Sequence, residues 1–313
     1  MYDTDDLTGQ LHSLRDYIRW GASRFARAGL AFGHGCDNAL DEAAHLAFRA
    51  LQLDFDLPET YLDARITRAE GRDILDLFDR RITQREPAAY LTGLAHYAGL
   101  DFEVCPDVLV PRSPVAELIE SGFEPWISDL DPERILDLCT GCGAIGILCA
   151  LRFPYATVDL TDLSPAAVAV ARRNIERHDL PLRVRAIESD LFDAVDAAPY
   201  DLIITNPPYI GSEEMAGLAP EYRHEPEVAF FGGDDGMDIV ARILEQAGDH
   251  LQPDGLLVFE VGFSAFLFEQ RWPDLPVTWV ELERGGVGVG VIQAEELRIW
   301  REQQGAEPAA AQG

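Results

Sequence analysis

Beyond Asp131-Pro132 the chain settles into one rhythm: a short apolar run, a longer amphipathic stretch, then another apolar run. Strands are predicted at 134–139, 156–161, 182–187, 201–205, 255–261, 277–282 and 287–292, with helices near 144–153, 165–178, 237–250 and 264–270. Strands joined through helices run parallel, and a parallel sheet is covered on both faces. Ser164 followed by Pro165 reads as a helix start, cap and then first turn. Only Glu283 to Gly286 separates the last two strands, too little for a helix. Those two are expected to pair antiparallel over the Gly285-Gly286 turn. The fold class is therefore α/β, with a seven-stranded, mostly parallel sheet and an antiparallel C-terminal hairpin.

The first hundred residues read differently. Leu11, Leu14, Ile18, Ala22 and Phe25 recur at helical spacing and predict an amphipathic helix over 5–30. Further helices are expected at 39–52 and 68–84, and short β-like pieces over 96–110, Asp107 to Val110 ending at Pro111. The division expected is a helical domain over 1–94, a hairpin and linker over 95–130, the α/β domain over 131–304, and a disordered tail over 305–313.

The glycine loop lies between the first strand of the sheet and its helix, in I-L-D-L-C-T-G-C-G-A-I-G from Ile135 to Gly146. Gly141, Gly143 and Gly146 match G-x-G-x-x-G, which allows a tight turn and close approach of a ligand to the backbone. Asp162 ends the next strand, where an acid binds ribose hydroxyls. Asp190 follows the third strand and can accept from an adenine amine, or cap a helix or face solvent as a turn residue. Asp137, inside the first strand, needs a partner if buried; it orients the loop or meets a ligand ammonium. The loop alone fits a dinucleotide or S-adenosylmethionine.

Thr205-Asn206-Pro207-Pro208-Tyr209-Ile210 ends the fourth strand at the same sheet edge. An amide nitrogen is a poor nucleophile because its lone pair is delocalised into the carbonyl. Two acceptors on its two N–H bonds would orient it and favour the positive charge that develops there. The Asn206 side-chain oxygen and the Pro207 carbonyl can be those acceptors, the carbonyl aimed by two consecutive prolines. Tyr209 supplies a flat wall. Methyl transfer to a planar nitrogen needs these parts, positioned; a dehydrogenase has no evident use for them, so the motif favours S-adenosylmethionine as cofactor. Read blandly, the prolines only end a strand and Tyr209 fills a core.

Cys139 and Cys142 form a C-x-x-C within the loop, but zinc takes about four ligands, and the chain has no second C-x-x-C or H-x-x-x-H. No metal site is expected. The chain carries 55 acidic residues against 25 basic ones, all arginine, for a net charge of -30. That sign repels nucleic-acid phosphate and suits a basic partner, although adaptation to a saline cytoplasm or biased genome composition gives the same balance. No apolar run approaches the roughly 20 residues of a membrane helix, and the acidic opening M-Y-D-T-D-D is no secretion signal. A cytoplasmic, soluble protein with no membrane partner is expected.

D-L-C-T-G-C-G-A-I-G, T-D-L-S, S-D-L-F and T-N-P-P-Y-I together resemble the class I (Rossmann-like) S-adenosylmethionine-dependent methyltransferases, and among them the HemK-type protein-glutamine methyltransferases. The resemblance covers about the whole chain. It implies methyl transfer from S-adenosylmethionine to a glutamine side-chain amide, with a helical N-terminal domain that binds the protein substrate. One branch of the family acts on the Gly-Gly-Gln glutamine of release factors, the other on large-subunit ribosomal protein L-three. Trp20 with Ser23-Arg24-Phe25, F-G-H-G-C-D-N-A-L-D-E-A from Phe32, V-L-V-P-R-S-P-V-A-E-L from Val108 and E-Y-R-H-E-P-E from Glu221 look like the second branch. Release-factor enzymes typically have P-R-P-E-T-E where this chain has P-R-S-P-V-A-E.

By the same resemblance Asp137, Thr140, Gly141 and Gly143 hold the cofactor, Asp162 its ribose, and Asp190 with Leu191 its adenine, while Asn206 faces cofactor as well as substrate. Asn206, Pro207, Pro208 and Tyr209 hold the glutamine, with Asn206, Pro207 and Tyr209 catalytic. Val287 replaces an acid usual in the ribosomal branch, which puts a hairpin salt bridge in doubt. The expected partner is free or assembling ribosomal protein L-three, met by a monomer without direct contact to nucleic acid. Competing readings are the release-factor substrate, an adenine amine in nucleic acid, and a cofactor-binding ribosome assembly factor that transfers nothing. Arg112 reads as a substrate-loop residue or a salt bridge. His34 with Asp37 reads as a helix-start loop rather than half a dyad, and His224 with Glu225 as shaping a channel without acid–base work.

Overall fold

The structure, a computed structural model, describes residues 4–127 and 131–306. The chain divides into two compact units. The first takes the residues up to Pro106, with Val110–Arg112 and Ala219–Glu225; the second takes Asp107–Leu109, Ser113–Leu218 and the residues from Pro226 onward.

The first unit contains α1 (Thr4–Gln10), α2 (Leu14–Ala28), α3 (Ala39–Ala50), α4 (Arg68–Gln84) and α5 (Ala88–Thr92), then the antiparallel strands β1 (Leu94–Tyr97) and β2 (Leu100–Glu103). The single helix expected over 5–30 is two. The Ser13 hydroxyl accepts the Asp16 N–H and the Asp16 carboxylate accepts the Ser13 N–H, a reciprocal cap that starts α2 afresh. Gly29 ends α2 in the left-handed region, and Asn38 caps α3. The core gathers Leu14, Tyr17 and Phe25 of α2, Leu46 of α3, and Ile74 and Phe78 of α4. Phe25 meets Phe78 edge-on at 5.2 Å.

Ionic groups are buried in this unit as well. Arg81 has no exposed surface and lies 2.6 Å from Glu42 and 3.5 Å from Glu221. Glu221 also accepts from the Ala31 N–H and from Arg85, both at 3.0 Å. Glu225 accepts from the Val110 N–H at 2.8 Å and from both terminal nitrogens of Arg112, and the His34 Nε2 lies 3.2 Å away. Arg112 is thus a salt-bridge residue, and His34 faces Glu225, not Asp37. Burial pushes the Glu225 carboxyl up, but His34 and Arg112 outweigh it and hold the group below the usual range. No strand forms at Asp107–Val110, because the Val110 N–H is spent on Glu225 and none joins a ladder.

The second unit contains α6 (Val115–Glu120), β3 (Arg134–Leu138), α7 (Ala144–Arg152), β4 (Thr157–Asp162), α8 (Pro165–Arg177), β5 (Val184–Glu188) and β6 (Tyr200–Thr205). These are followed by α9 (Ser212–Gly217), α10 (Asp238–His250), β7 (Leu251–Glu260), α11 (Ala265–Arg271), β8 (Thr278–Trp279), β9 (Val289–Gln293) and α12 (Ala294–Ala306). Among the described residues the sheet has seven strands in the order β5-β4-β3-β6-β7-β9-β8. The first five are parallel, and β9 is antiparallel to both β7 and β8. The fold is the expected α/β class.

Two details differ from expectation. The strand expected over 277–282 is only β8: the Val280 N–H still donates to the Val289 carbonyl at 2.9 Å, and beyond it the Glu283 and Arg284 N–H groups go to the Glu117 carboxylate. The helices α6 and α12 were not anticipated; Leu297 and Trp300 of α12 join the core formed by Leu136, Ile203, Leu257 and the inner face of α10. Residues 307–313 of the expected tail lie outside the described residues. The chain moves outward from β3 through β4 to β5, then returns to the other side of β3 with β6. A crevice opens at the C-terminal ends of strands where the order reverses in this way.

Candidate active site

A cleft lies at that edge, with ≈ 820 Å³ of empty space when its open mouth is included. Gly141, Asp162, Asp190, Leu191, Asn206 and Pro208 all line it. Chain segments 138–143, 161–164, 188–191 and 205–209 follow β3, β4, β5 and β6, so the parallel sheet itself delivers them to one place.

The glycine loop is held from three sides. Asp162 accepts the Gly141 N–H at 2.9 Å and the Ser164 N–H at 2.8 Å. Burial, the largest influence, keeps its carboxyl above the usual range despite these two donors. The Asn174 side chain of α8 donates to the Cys142 carbonyl at 2.8 Å. Gly146 sits against β3 and β4 so closely that a Cβ there would lie 2.1 Å from Leu160 and 3.0 Å from Asp137. The third glycine of the motif is therefore a packing requirement between helix and strand.

Of the expected site residues, Asp137, Thr140, Gly143, Pro207 and Tyr209 are not in the cleft lining; Asp137 and Thr140 hold the loop that is. Asp137 is fully buried, and its Oδ2 accepts the Thr140 hydroxyl at 2.5 Å and the Gly146 N–H at 2.9 Å. Its Oδ1 is buried with no hydrogen-bond partner among the described residues. Burial pushes the carboxyl up to about 7, against the pull of Thr140 and Gly146. The native state therefore holds a proton that the unfolded chain releases near pH 4. This contribution to stability is complete below about pH 4 and is lost as pH rises through about 7. Asp137→Asn keeps the acceptor oxygen but cannot ionise. Its melting temperature relative to wild type is expected to rise from pH 5 to pH 8, checked by thermal melts across that range. A flat difference would reject the assignment.

At the next strand end, Leu191 is buried at φ +50 and the Ser189 hydroxyl donates to its carbonyl at 2.8 Å. This turn presents Asp190, which is paired with Arg242 of α10 at 2.9 Å. The pairing was not legible beforehand, since Arg242 lies on a helix face with no motif. Burial raises the Cys139 thiol and pushes Cys142 up to about 12, so neither is a thiolate at neutral pH.

Asn206-Pro207-Pro208-Tyr209 is fixed at both ends. The Thr205 hydroxyl donates to the Leu138 carbonyl at 2.9 Å, tying β6 to the glycine-loop strand. The Ile210 N–H donates to the Phe230 carbonyl and the Gly232 N–H to the Ile210 carbonyl, at 2.8 and 3.0 Å. The Tyr209 hydroxyl reaches the buried Glu260 carboxylate at 3.4 Å, and Ser113 donates to the other oxygen of Glu260. Gly262 holds φ +51 and backs onto the Tyr209 ring; a Cβ there would come within 2.9 Å of the hydroxyl. The tyrosine plane is therefore clamped before any substrate arrives.

Sequence reasoning missed part of the lining: Asp107–Leu109, Val228, Phe231 and Ile239. The apolar run Val228-Ala229-Phe230-Phe231, set in a loop just before Gly232-Gly233, was the available signal. The charged residues of the lining are Asp107, Asp162 and Asp190, with no arginine. Carboxylates suit hydroxyl and amine donors and a cationic centre, and oppose a pyrophosphate.

A family model described as a methyltransferase small domain matches residues 119–219. A protein of Bordetella pertussis named ribosomal protein uL3 glutamine methyltransferase is 46% identical over 92% of this chain and 97% of its own length. Proteins of the same name from Xanthomonas campestris pv. campestris and Francisella tularensis are 47% and 41% identical, over 92% and 95% of this chain and 93% and 95% of theirs. Among solved structures, the hMettl16 catalytic domain in complex with MAT2A 3'UTR hairpin 1 superposes with TM-score 0.50 at 17% identity, over 80% of this chain and 89% of that one. That likeness is one of fold alone.

Proposed function

The chain belongs to the ribosomal protein uL3 glutamine methyltransferase family, and from that membership we infer that it transfers a methyl group from S-adenosylmethionine to the side-chain amide nitrogen of a glutamine in uL3. The observation that carries the chemistry is the clamped Asn206–Tyr209 segment at the mouth of a cleft whose charged residues are all acidic. S-adenosylmethionine fits that lining. It has hydroxyls and an adenine amine to donate, a sulfonium and an ammonium as cations, and no phosphate. Asp162 would hold the ribose, Asp190 and Leu191 the adenine, and Gly141, on the loop that Thr140 and Gly143 shape, the amino-acid part. The partnerless Oδ1 of Asp137 is a buried acceptor in β3, beneath that loop. When bound, the cofactor supplies a methyl on a positively charged sulfur, ready for in-line displacement.

The chain's own residues prepare the acceptor. The Asn206 oxygen and the Pro207 carbonyl take the two N–H bonds of the glutamine amide, and Tyr209 lies against its plane. Positive charge developing on that nitrogen during methyl transfer would be stabilised by these two acceptors. One amide proton is lost to solvent, and the nitrogen keeps the other. The consecutive prolines fix the backbone that carries the Pro207 carbonyl, and Gly262 fixes the Tyr209 ring. The all-helical part of the first unit is the element assigned to recognise the protein substrate. The enzyme is read as a cytoplasmic monomer that meets uL3 free or during ribosome assembly, an acidic chain meeting a basic one.

Labelled S-adenosylmethionine with purified uL3, and separately with a release factor, tests this. Methyl located by mass spectrometry on one uL3 glutamine is the expected result. Label confined to the release factor would keep the chemistry and reject the substrate.

A further inference from the structure

Phe263 is 91% exposed, Phe266 65% and Leu267 43%. Strongly exposed apolar residues elsewhere, such as Leu182 and Tyr155, stand singly, which is ordinary. Three within five residues stand together at the start of α11, and exposed apolar residues that cluster are candidates for an interaction surface. The core does not explain them: Phe268 turns inward, stacking on Phe259 at 4.9 Å, and Ala265 packs beside it, but Phe263, Phe266 and Leu267 do not join that cluster.

Their position is specific. Phe263 directly follows Gly262, the residue that backs onto the Tyr209 ring. Val287, 48% exposed, directly precedes Gly288, whose Cβ would lie 2.0 Å from the Gly262 carbonyl. The Val261 N–H donates to the Gly288 carbonyl at 2.8 Å, so both apolar side chains border one contact beside the tyrosine. None of the four lines the cofactor cleft.

A glutamine in a protein reaches Asn206–Tyr209 only if its backbone comes within one side-chain length of the ring. Each flanking residue then runs on by about 3.4 Å in an extended chain. A substrate segment that leaves the site on the Gly262 side therefore runs toward Phe263. We propose that Phe263, Phe266, Leu267 and Val287 form an apolar landing for the substrate segment flanking the modified glutamine, and that this segment brings apolar side chains to it. The inference rests on reading Asn206–Tyr209 as the amide site. The occupant is the basic protein substrate and not a second copy: two chains of net charge -30 repel, whereas a basic protein is steered inward and then held by short-range apolar contact.

The test compares the full chain with the double variant Phe263→Ser/Phe266→Ser, by initial rates against uL3 concentration, cofactor titration calorimetry and a thermal melt. KM for uL3 is expected to rise about tenfold or more. At saturation kcat should stay within about twofold, with cofactor affinity and melting temperature unchanged. Phe263→Leu/Phe266→Leu is expected to restore most of the loss. Phe263→Arg, a solubilising change that sets like charge against a basic partner, is a second variant expected to raise KM. An unchanged KM in the serine and arginine variants would overturn the landing, as would a fall in kcat at constant KM, which would place these residues in the support of Tyr209 instead. A wild-type protein that methylates no uL3 would overturn the substrate reading itself, and the landing with it.

Discussion

Asn206→Ala is expected to lower turnover on the protein substrate by about 10²–10³-fold, the usual loss when one preorganised hydrogen-bonding group is removed from a site of developing charge. The cofactor dissociation constant should change far less, because Asp162, Asp190 and the glycine loop remain. The loss belongs in kcat and in kcat/KM together, since the acceptor strengthens as charge appears on nitrogen and does little for the ground state. Single-turnover rates with saturating cofactor, beside a cofactor titration, make the check. If the titration fails in parallel with the rate, Asn206 is a cofactor ligand and the amide-orienting role is wrong. Asn206→Asp is informative in the same assay. It keeps an acceptor at the same place and adds charge, so it should retain more activity than alanine if acceptance is what matters.

The second large effect is on stability. Arg81→Met removes the only cation within 4 Å of Glu42 among the described residues. It leaves Glu42 with no exposed side-chain surface, and Glu221 with Arg85 alone. Breaking a buried pair from one side costs about 3–5 kcal/mol, since an uncompensated charge stays in the core. Burial already pushes the Glu42 carboxyl up, with Arg81 pulling it back; without Arg81 the proton is taken up instead. The variant should therefore lose less stability at pH 5 than at pH 8, as denaturant unfolding at both values would show. Replacing the cluster together, Arg81→Met with Glu42→Leu, should recover part of the loss. A single variant within about 1 kcal/mol of wild type would mean that the pair contributes little.

The sheet was legible because its strands are buried on both faces and therefore read as plain apolar runs. Ile135, Leu136 and Leu138 have no exposure, and the run that they form was found within a residue of its ends. The site was legible where chemistry sits in a local pattern. Gly141 and Asp162 were linked by spacing alone, and a hydrogen bond joins them. What stayed hidden depends on partners far apart in sequence. Arg112 pairs with Glu225, 113 residues on, and no local pattern could choose that over a substrate role. His34 was read beside its neighbour Asp37 because proximity in sequence was the only information at hand. The break between α1 and α2 was hidden for a different reason: the apolar spacing runs through it, and only the Ser13–Asp16 cap marks it.

The threading of the first unit has a consequence for how the protein is made. Its core is not completed by its own hundred residues: Glu221 joins Arg81, Arg85 and the Ala31 backbone from much later in the chain. Translation runs from one end at about 5–20 residues per second. The 136 residues between Arg85 and Glu221 therefore impose a wait of about 7–27 s on a nascent chain. Throughout that interval Arg81 has Glu42 but lacks its second carboxylate, and Arg85 has only backbone carbonyls. The N-terminal helices emerge first but are finished only once Glu221 is made, so a ribosome stalled before Glu221 carries a helical segment whose ionic core is still open.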